Sequence, residues 1–321
     1  MNDLAKWNQR VNVAARRIGP YVVRTPLLSS KHLSEDTGHR VWLKCEQLQP
    51  TGAFKIRGAA NALLAKNTEE RKNGAVTYST GNHGLAVAYM AQQLGIPATI
   101  CISGRVPEAK VEILKATGAR VVVQGDSQDD AKQVAENMAK EDGLIVIEPF
   151  DNEDVIAGQG TVGLEILDQL PEVGTVLVPL SGGGLLSGIS AFIKANRPDV
   201  RMVGVSMDRG AVMYESVRRG RPVQMPEVPT LADSLQGGIG LDNRFTFEMV
   251  REYVDDIVVV SEEEIGSAMA ILGREGLIVE GAGAVSVAAL SHRMELRGSI
   301  IGILTGRNIS LSTFCQVVEN Y

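Results

Sequence analysis

The chain has 321 residues, of which 44% are hydrophobic and 22% are charged, and its formal net charge is −6. This length predicts two lobes with a sizeable core rather than one ordinary domain. The acidic balance argues against nucleic acid as a partner, because neutralising its phosphates requires clustered Lys and Arg. No stretch approaches the roughly 20 apolar residues of a membrane span, so no membrane partner is expected.

Three cysteines, Cys45, Cys101 and Cys315, are widely spaced and form no CxxC or Cys/His metal pattern. Such usage is typical of a reducing compartment. Because the N-terminus also lacks the apolar segment of a secretory signal, we expect a cytoplasmic protein.

Short apolar runs alternate with amphipathic helical patterns along the chain. In chain order, the predicted strands are Ala75–Tyr78, Ala98–Ile102, Arg120–Val123, Leu144–Ile147, Val176–Pro179, Met202–Val205 and Ile300–Leu304. The helical patterns between the first four strands are Gly84–Leu94, Glu108–Thr117 and Asp129–Glu141. This alternation predicts an α/β fold of two lobes, each an open parallel sheet with helices on both faces.

The β-α units between residues 74 and 148 predict a small domain on the substrate side. Residues 1–73 and 149–321 then form a large domain, into which the small domain is inserted. A ligand cleft is expected at the junction between the two.

The segment Thr51–Gly58 places a lysine close to a turn-forming glycine and to a helix predicted over about Arg57–Lys66. Lys55 stands just before this helix, between Phe54 and Ile56. An amine among apolar groups near the positive end of a helix is harder to protonate, so its pKa falls. A neutral amine is what Schiff-base chemistry requires. The alternative is an ordinary solvated lysine at a helix end.

A polar loop, Ser79–Gly84, lies between a predicted strand and a predicted helix. Its backbone N–H groups and polar side chains would suit an anion such as a substrate carboxylate. The alternative is a turn in which a serine or threonine caps the helix. His83 is explained equally well as a structural hydrogen-bonding residue and as an acid or base.

Three consecutive glycines lie in the segment Ser181–Gly188, after the predicted strand Val176–Pro179 and before a helix around Ile189–Ala195. Glycines let the backbone approach a phosphate closely, and the helix dipole favours the negative charge. The segment is not a P-loop, because no Gly-Lys-Ser/Thr follows. It also departs from GxGxxG, since Ser187 stands where the third glycine is required. Phosphate binding is therefore favoured over a nicotinamide dinucleotide.

Together and in this order, the three motifs resemble those of the fold type II (β-family) enzymes that use pyridoxal 5′-phosphate (PLP). The similarity extends from Arg24–Leu27 through Ala157–Thr161 to the last predicted strand and is strongest to the threonine dehydratase and serine racemase group. The resemblance implies a tryptophan synthase β-like fold, PLP held by the large domain, a small hydroxy amino acid as substrate, and a homodimer.

The resemblance also implies roles for individual residues. Lys55 would bind the PLP aldehyde as a Schiff base and, when displaced, act as the base at the substrate Cα. Thr305 would face the pyridine nitrogen. The other implied cofactor contacts are Phe54, Asn82, Ser181, Gly182, Gly183, Gly184, Leu185 and Glu280. The implied substrate contacts are Ser79, Thr80, Asn82, His83 and Gly237, and Thr80 would also be catalytic.

The implied reaction is α,β-elimination of water, which converts a β-hydroxy amino acid to a 2-oxo acid and ammonia. The Thr305 hydroxyl, unlike an aspartate, need not keep the ring nitrogen protonated. This favours loss of a β-leaving group over a long-lived carbanion. The implied substrates are threonine, serine, 3-hydroxyaspartate or an amino acid derived from hydroxyectoine.

The chain departs from its relatives at two functional positions. Serine racemases carry a serine where this chain has Thr80, whose methyl group would crowd proton transfer, so dehydration is expected to exceed racemisation. Ser206 and Val212 stand where many relatives bind a divalent cation through carboxylates, and neither offers an anionic oxygen. We therefore expect no metal at this position.

Arg307 stands where the relatives usually have a small residue. Together with Ser79–Asn82 and Ser206-Met207, it is most similar to the hydroxyectoine-utilisation dehydratases, with phenylserine- and hydroxyaspartate-type dehydratases as close alternatives. If its side chain faces the cleft, it could pair with the phosphate or an acidic substrate. The alternative is that it points away from the cofactor.

Other functions remain open at this point. A racemase or a β-replacement enzyme would use the same scaffold and cofactor. A nicotinamide dehydrogenase is disfavoured by the missing third glycine, and a non-catalytic binding protein by the presence of Lys55.

Overall fold

The computed structural model describes residues 3–79, 81–106, 108–126 and 128–321. The strands in these ranges are β1 (Leu27–Ser30), β2 (Val41–Lys44), β3 (Ala75–Thr77), β4 (Ala98–Ile102), β5 (Arg120–Val123), β6 (Ile145–Val146), β7 (Val173–Pro179), β8 (Arg201–Met207), β9 (Asp256–Val260) and β10 (Ser299–Ile303). The α-helices are α1 (Asp3–Ile18), α2 (Lys31–Thr37), α3 (Lys55–Leu64), α4 (Thr68–Arg71), α5 (Asn82–Leu94), α6 (Glu108–Ala116), α7 (Gln128–Asp142), α8 (Glu153–Gln169), α9 (Gly184–Asn196), α10 (Val212–Arg219), α11 (Thr246–Tyr253), α12 (Glu262–Arg274), α13 (Gly281–Ala288) and α14 (Leu311–Val318).

The strands form two sheets. A six-stranded sheet has the order β1-β2-β10-β7-β8-β9, and a four-stranded sheet has the order β5-β4-β3-β6. The paired strands are parallel except for β1, which runs antiparallel to β2 at the sheet edge. The expected parallel sheets are confirmed, whereas β1, β2 and β9 were not among the predicted strands.

Both faces of the six-stranded sheet are covered, as its apolar strands predicted. Along β7, Val176 and Val178 pack in one core cluster with residues of α8 and α9. Leu177, which points to the opposite face, packs in another cluster with residues of α12 and α13. Alternate residues of a strand point to opposite faces, so a strand buried on both faces reads as one continuous apolar run.

The four-stranded sheet is built from the segment between β3 and β6. Helix α3 precedes this segment in the chain, yet its residues Ile56, Ala59 and Leu63 share a core cluster with Val87 and Met90 of α5. The small sheet is therefore packed on a helix that the predicted boundaries assign to the large domain. The boundaries at residues 74 and 148 stay a prediction.

Two helices begin earlier than predicted. The first was expected from about Arg57, but Phe54 already has helical dihedral angles (φ −57°, ψ −23°) and α3 begins at Lys55. The second was expected from Gly84 and begins at Asn82. Lys55, Asn82 and His83 therefore lie in first helical turns, where backbone N–H groups lack intrahelical acceptors.

The strand order creates a crevice between β7 and β10. Strands β7, β8 and β9 follow one another outward, and the chain then returns to place β10 on the other side of β7. The connections at the carboxyl ends of β7 and β10 thus diverge to opposite faces of the sheet. Such a switch point is where open α/β sheets bind ligands.

A buried group of four charged side chains, here called the charge quartet, joins α3 to β2 and α8. Arg57 donates to both oxygens of Glu46 and both oxygens of Glu165, at 2.8–3.0 Å. Lys44 Nζ donates to Glu165 Oε2 at 2.5 Å. Burial alone would raise the pKa of Glu46, but the charge and hydrogen bonds of Arg57 hold that pKa below its usual value. Two cations and two anions therefore compensate one another in the interior.

Arg57→Met should lower the free energy of unfolding by roughly 3–5 kcal/mol. Two buried carboxylates, Glu46 and Glu165, would then be compensated by a single cation of the quartet, Lys44. Urea denaturation of the cofactor-free protein, followed by circular dichroism, measures this change.

Arg24→Met is the matched control, since Arg24 forms an exposed ion pair with Asp168. Its effect should stay below about 1 kcal/mol. Equal losses in the two variants would contradict the role given to the charge quartet.

Candidate active site

The loop after β7 presents backbone N–H groups at the N-terminus of α9. Gly183 has φ +88°, in the left-handed region that favours glycine. A Cβ atom at Gly182 would lie 2.4 Å from the Phe150 ring, and one at Gly184 would lie 3.0 Å from the Phe150 backbone. The loop therefore needs glycine at these positions, and its amides form a nest suited to an anion.

Residues just before Lys55 pair with the segment that follows β10. Phe54 N donates to Thr305 O at 3.0 Å, and Ala53 forms an isolated antiparallel bridge with Gly306. This pairing holds the start of α3 at the carboxyl edge of the six-stranded sheet, beside the crevice between β7 and β10.

The amino group of Lys55 is enclosed by the protein. Its Nζ donates to Pro149 O at 2.8 Å and lies 5.3 Å from the centre of the Phe54 ring. Burial lowers the pKa of Lys55 to about 8. The neutral amine is therefore far more accessible near neutral pH than in an exposed lysine, whose pKa is about 10.4. This environment favours the Schiff-base interpretation of Lys55 over the solvated-lysine alternative.

His83 is buried in the first turn of α5, and its Nε2 lies 2.9 Å from Ile147 O. Burial and the nearby charge of Lys55 lower the pKa of His83 to about 3. In the neutral ring, Nε2 carries the proton and donates to the carbonyl, so Nδ1 is an acceptor. Nδ1 has no hydrogen-bond partner among the described residues. This arrangement favours the structural interpretation of His83 over an acid–base role.

Asn82 links the polar loop to the wall formed by the C-terminal part of the chain. Its Nδ2 donates to Glu280 Oε1 at 2.7 Å, and its Oδ1 accepts from Asn308 Nδ2 at 2.5 Å. Burial raises the pKa of Glu280 to about 7. The Thr305 hydroxyl is buried nearby and has a long 3.3 Å contact with Ala282 O, so it retains freedom to turn toward a ligand.

These elements surround a cavity of about 710 Å³, within the usual range of small-molecule sites. Every predicted site residue that the structure describes lines this cavity: Phe54, Lys55, Ser79, Asn82, His83, Ser181, Gly182, Gly183, Gly184, Leu185, Gly237, Glu280 and Thr305. Thr80 lies outside the described residues. Position around one cavity does not prove what each residue does, so the individual roles stay predictions.

The sequence analysis missed several polar residues of the cavity wall. Gln159 lies on α8, Tyr78 follows β3, and Arg105 follows β4. Burial raises the pKa of the Tyr78 phenol well above its usual value. A glutamine between Gly158 and Gly160 inside an apolar helix is a recognisable signal. Tyr78 and Arg105 have no comparable local pattern.

Arg307 is exposed and is not among the residues that line the cavity. This favours the alternative in which its side chain points away from the cofactor. At the expected metal position, Ser206 Oγ contacts Met207 Sδ at 3.6 Å, and Val212 packs in an apolar cluster. The described residues contain no group of three or more His, Cys, Asp or Glu side chains that could hold a metal. That no metal binds here stays a prediction.

The residues of the cavity fit PLP. An aldehyde requires an amine that can lose its proton, which burial provides at Lys55. A phosphate requires converging donors, which the glycine loop provides at the start of α9. The apolar Phe54 ring and the Thr305 hydroxyl line the space near both and would suit a pyridine ring.

The family described as "Pyridoxal-phosphate dependent enzyme" matches residues 18–306, and the chain belongs to this family. It is an enzyme of the PLP-dependent lyases, with threonine dehydratases and serine racemases among its relatives. The expected cofactor and the fold type II architecture are thereby confirmed.

Three relatives illustrate this placement. A protein of Sinorhizobium fredii, provisionally named threonine dehydratase, is 48% identical over 323 residues, covering 99% of this chain and 97% of that protein. The L-threonine ammonia-lyase of Thermotoga maritima is 42% identical over 311 residues, covering 96% of this chain and 77% of that protein. The structure of maize serine racemase has a TM-score of 0.90 and 37% identity, covering 97% of this chain and 96% of that one.

A membrane span requires a long helix with a continuous apolar surface. None of the described helices combines the necessary length with sufficient apolarity.

The Lys55 amine should react with aldehydes at lower pH than other lysines. Because its pKa is about 8, the rate of Schiff-base formation should rise as pH increases toward 8 and level off above it. To measure the labelling of each lysine at several pH values, cofactor-free protein is treated with pyridoxal and reduced with borohydride. The modified peptides are then identified by digestion and mass spectrometry.

Lys31 is the internal control, since its side chain is 89% exposed. Parallel pH profiles for Lys55 and Lys31 would contradict the effect of burial described here.

Proposed function

We propose that the chain is a PLP-dependent dehydratase that converts a small β-hydroxy amino acid to a 2-oxo acid and ammonia. The observation that carries this proposal is the shared cavity of the Lys55 amine and the glycine nest at residues 182–184. A buried amine and an anion-binding nest in one cavity can hold the aldehyde and the phosphate of one small molecule. The relatives named as threonine dehydratases support the reaction type.

Bound PLP supplies an aldehyde that takes the substrate amine and a ring that withdraws electrons from the bonds at Cα. Lys55, once free, is placed to take the Cα proton, and its lowered pKa suits it to act as a base near neutral pH. The donors around Ser79 and Asn82 would orient the substrate carboxylate. Loss of the Cα proton and the β-hydroxyl releases water. The product enamine rearranges to an imine and is hydrolysed, which consumes one water and releases ammonia.

We also propose which side chain the substrate carries. Threonine and serine are favoured by the names of the relatives. The 3-hydroxyaspartate and hydroxyectoine-derived substrates rest on the motif resemblance, as does kinship to the hydroxyectoine-utilisation branch. Since Arg307 is exposed outside the cavity, it gives no support to an acidic substrate.

The quaternary and domain organisation are also proposals. We infer a homodimer from the resemblance, and the half-exposed Leu28 and Leu48 offer apolar surface to a second copy. We retain a small domain over residues 74–148, supported by the separate sheet formed by β3–β6.

Purified protein should be yellow and should release a 2-oxo acid and ammonia from at least one 3-hydroxy amino acid in a screen of both stereochemistries. Lys55→Ala should abolish this activity, because no amine remains to take the Cα proton, while the circular dichroism spectrum stays unchanged. A colourless protein that is fully active would contradict the proposal.

Dehydration should exceed racemisation, because a threonine stands where serine racemases use a serine. Incubation with L-serine, followed by chiral chromatography and by pyruvate measurement, gives the two rates. Faster interconversion of the serine enantiomers than pyruvate release would favour the racemase. Product formation that depends on an added thiol would instead indicate β-replacement.

A further inference from the structure

Gln159 is a buried polar side chain with no hydrogen-bond partner. It is 1% exposed, and neither its Oε1 nor its Nε2 has a partner among the described residues. Leaving a buried amide unpaired costs free energy that most native structures avoid. Because Gln159 lines the active-site cavity, a ligand of that cavity can satisfy the amide.

The neighbours of Gln159 place it between the two elements that bind opposite ends of the cofactor. A Cβ atom at Gly58 would lie 2.4 Å from Gln159 Nε2, so the amide lies against α3 one turn after Lys55. On the other side, Gly160 packs against Gly188, one turn after α9 begins. Gln159 thus lies in the part of the cavity wall formed by α8, here called the cavity floor, and α8 packs against both α3 and α9.

The close helix crossings at this point fix the orientation of α8. A Cβ atom at Gly158 would lie 2.4 Å from Arg57 O, and one at Gly188 would lie 2.3 Å from Ile156 O. Small residues on both sides therefore allow three helices to approach closely. The amide of Gln159 is held by this packing, and no hydrogen bond from the described residues satisfies its donors.

We propose that Gln159 is a cofactor-binding residue whose amide Nε2 donates a hydrogen bond to the PLP phosphate from the cavity floor. The glycine loop supplies backbone amides and the Ser181 hydroxyl, and Gln159 would add a neutral side-chain donor from the same cavity wall. A neutral donor adds a directed hydrogen bond to the dianion there without adding charge. This inference rests on the cofactor of the family and not on the substrate side chain.

The test compares PLP with pyridoxal, which lacks the phosphate. Gln159→Met keeps the length of the side chain and removes its hydrogen bonds. The variant should bind PLP roughly tenfold to a hundredfold more weakly, the loss expected for one hydrogen bond to a charged group. Its affinity for pyridoxal should be unchanged. Equilibrium titration of cofactor-free protein, followed by absorbance, measures both dissociation constants.

The melting temperature of the cofactor-free protein separates a binding role from a structural one. Because Gln159→Met replaces an unpaired buried amide with an apolar side chain of similar shape, this temperature should stay the same or rise. The ³¹P resonance of bound PLP should also shift in the variant. Gln159→Glu, which places an anion at the same point, should weaken PLP binding further and again spare pyridoxal.

Ser190→Ala is the matched control, since Ser190 Oγ is also buried without a partner among the described residues but does not line the cavity. It should leave PLP affinity unchanged. The inference is overturned if Gln159→Met binds PLP as tightly as the original protein, or if it weakens PLP and pyridoxal equally. Failure of the original protein to bind PLP would instead contradict the proposed function.

Discussion

The charge quartet is the constraint on which the position of Lys55 depends. Arg57 lies two residues after Lys55 in the first turns of α3, and its guanidinium is fixed by Glu46 and Glu165. A buried ion group of this kind does not by itself make the fold more stable, since well-packed apolar residues in its place can be equally stabilising. Its directional hydrogen bonds do fix one orientation of the helix. The rotation of α3, and with it the direction of the Lys55 side chain, follows from these bonds.

The site is then assembled from segments that lie far apart in the chain. The bridge between Ala53 and Gly306 joins the lysine segment to the end of β10. The hydrogen bond between Asn82 and Glu280 joins the small sheet to α13 across 198 residues. The strand order explains why these segments meet, because the carboxyl ends of β7 and β10 flank the crevice.

Much of the fold could be predicted from local patterns. The strands buried on both faces gave continuous apolar runs, and the three glycines marked the nest before α9. The strands that were not predicted had weaker sequence signals, since β1 and β2 have four residues each and β2 ends in Lys44. A lysine normally indicates an exposed position, and Lys44 is buried because Glu46 and Glu165, the latter 121 residues away, compensate its charge.

The same limitation explains the residues that were missed at the site. Arginine is usually found at the surface, and Arg57 is buried because its partners lie 11 and 108 positions away. The contact between Gln159 and Gly58 likewise depends on how α8 crosses α3. Periodicity and motifs report which residues share an element. They do not report which side chains from different elements meet.

The glycine nest has a practical consequence for handling the protein. It would hold the cofactor phosphate with backbone dipoles at a buried helix end, and buried interactions are screened far less by dissolved ions than surface charges are. Rinsing with concentrated sodium chloride should therefore leave the prosthetic group in place. Inorganic phosphate, which has the geometry the amides were shaped for, is the buffer ion that would compete with it during purification.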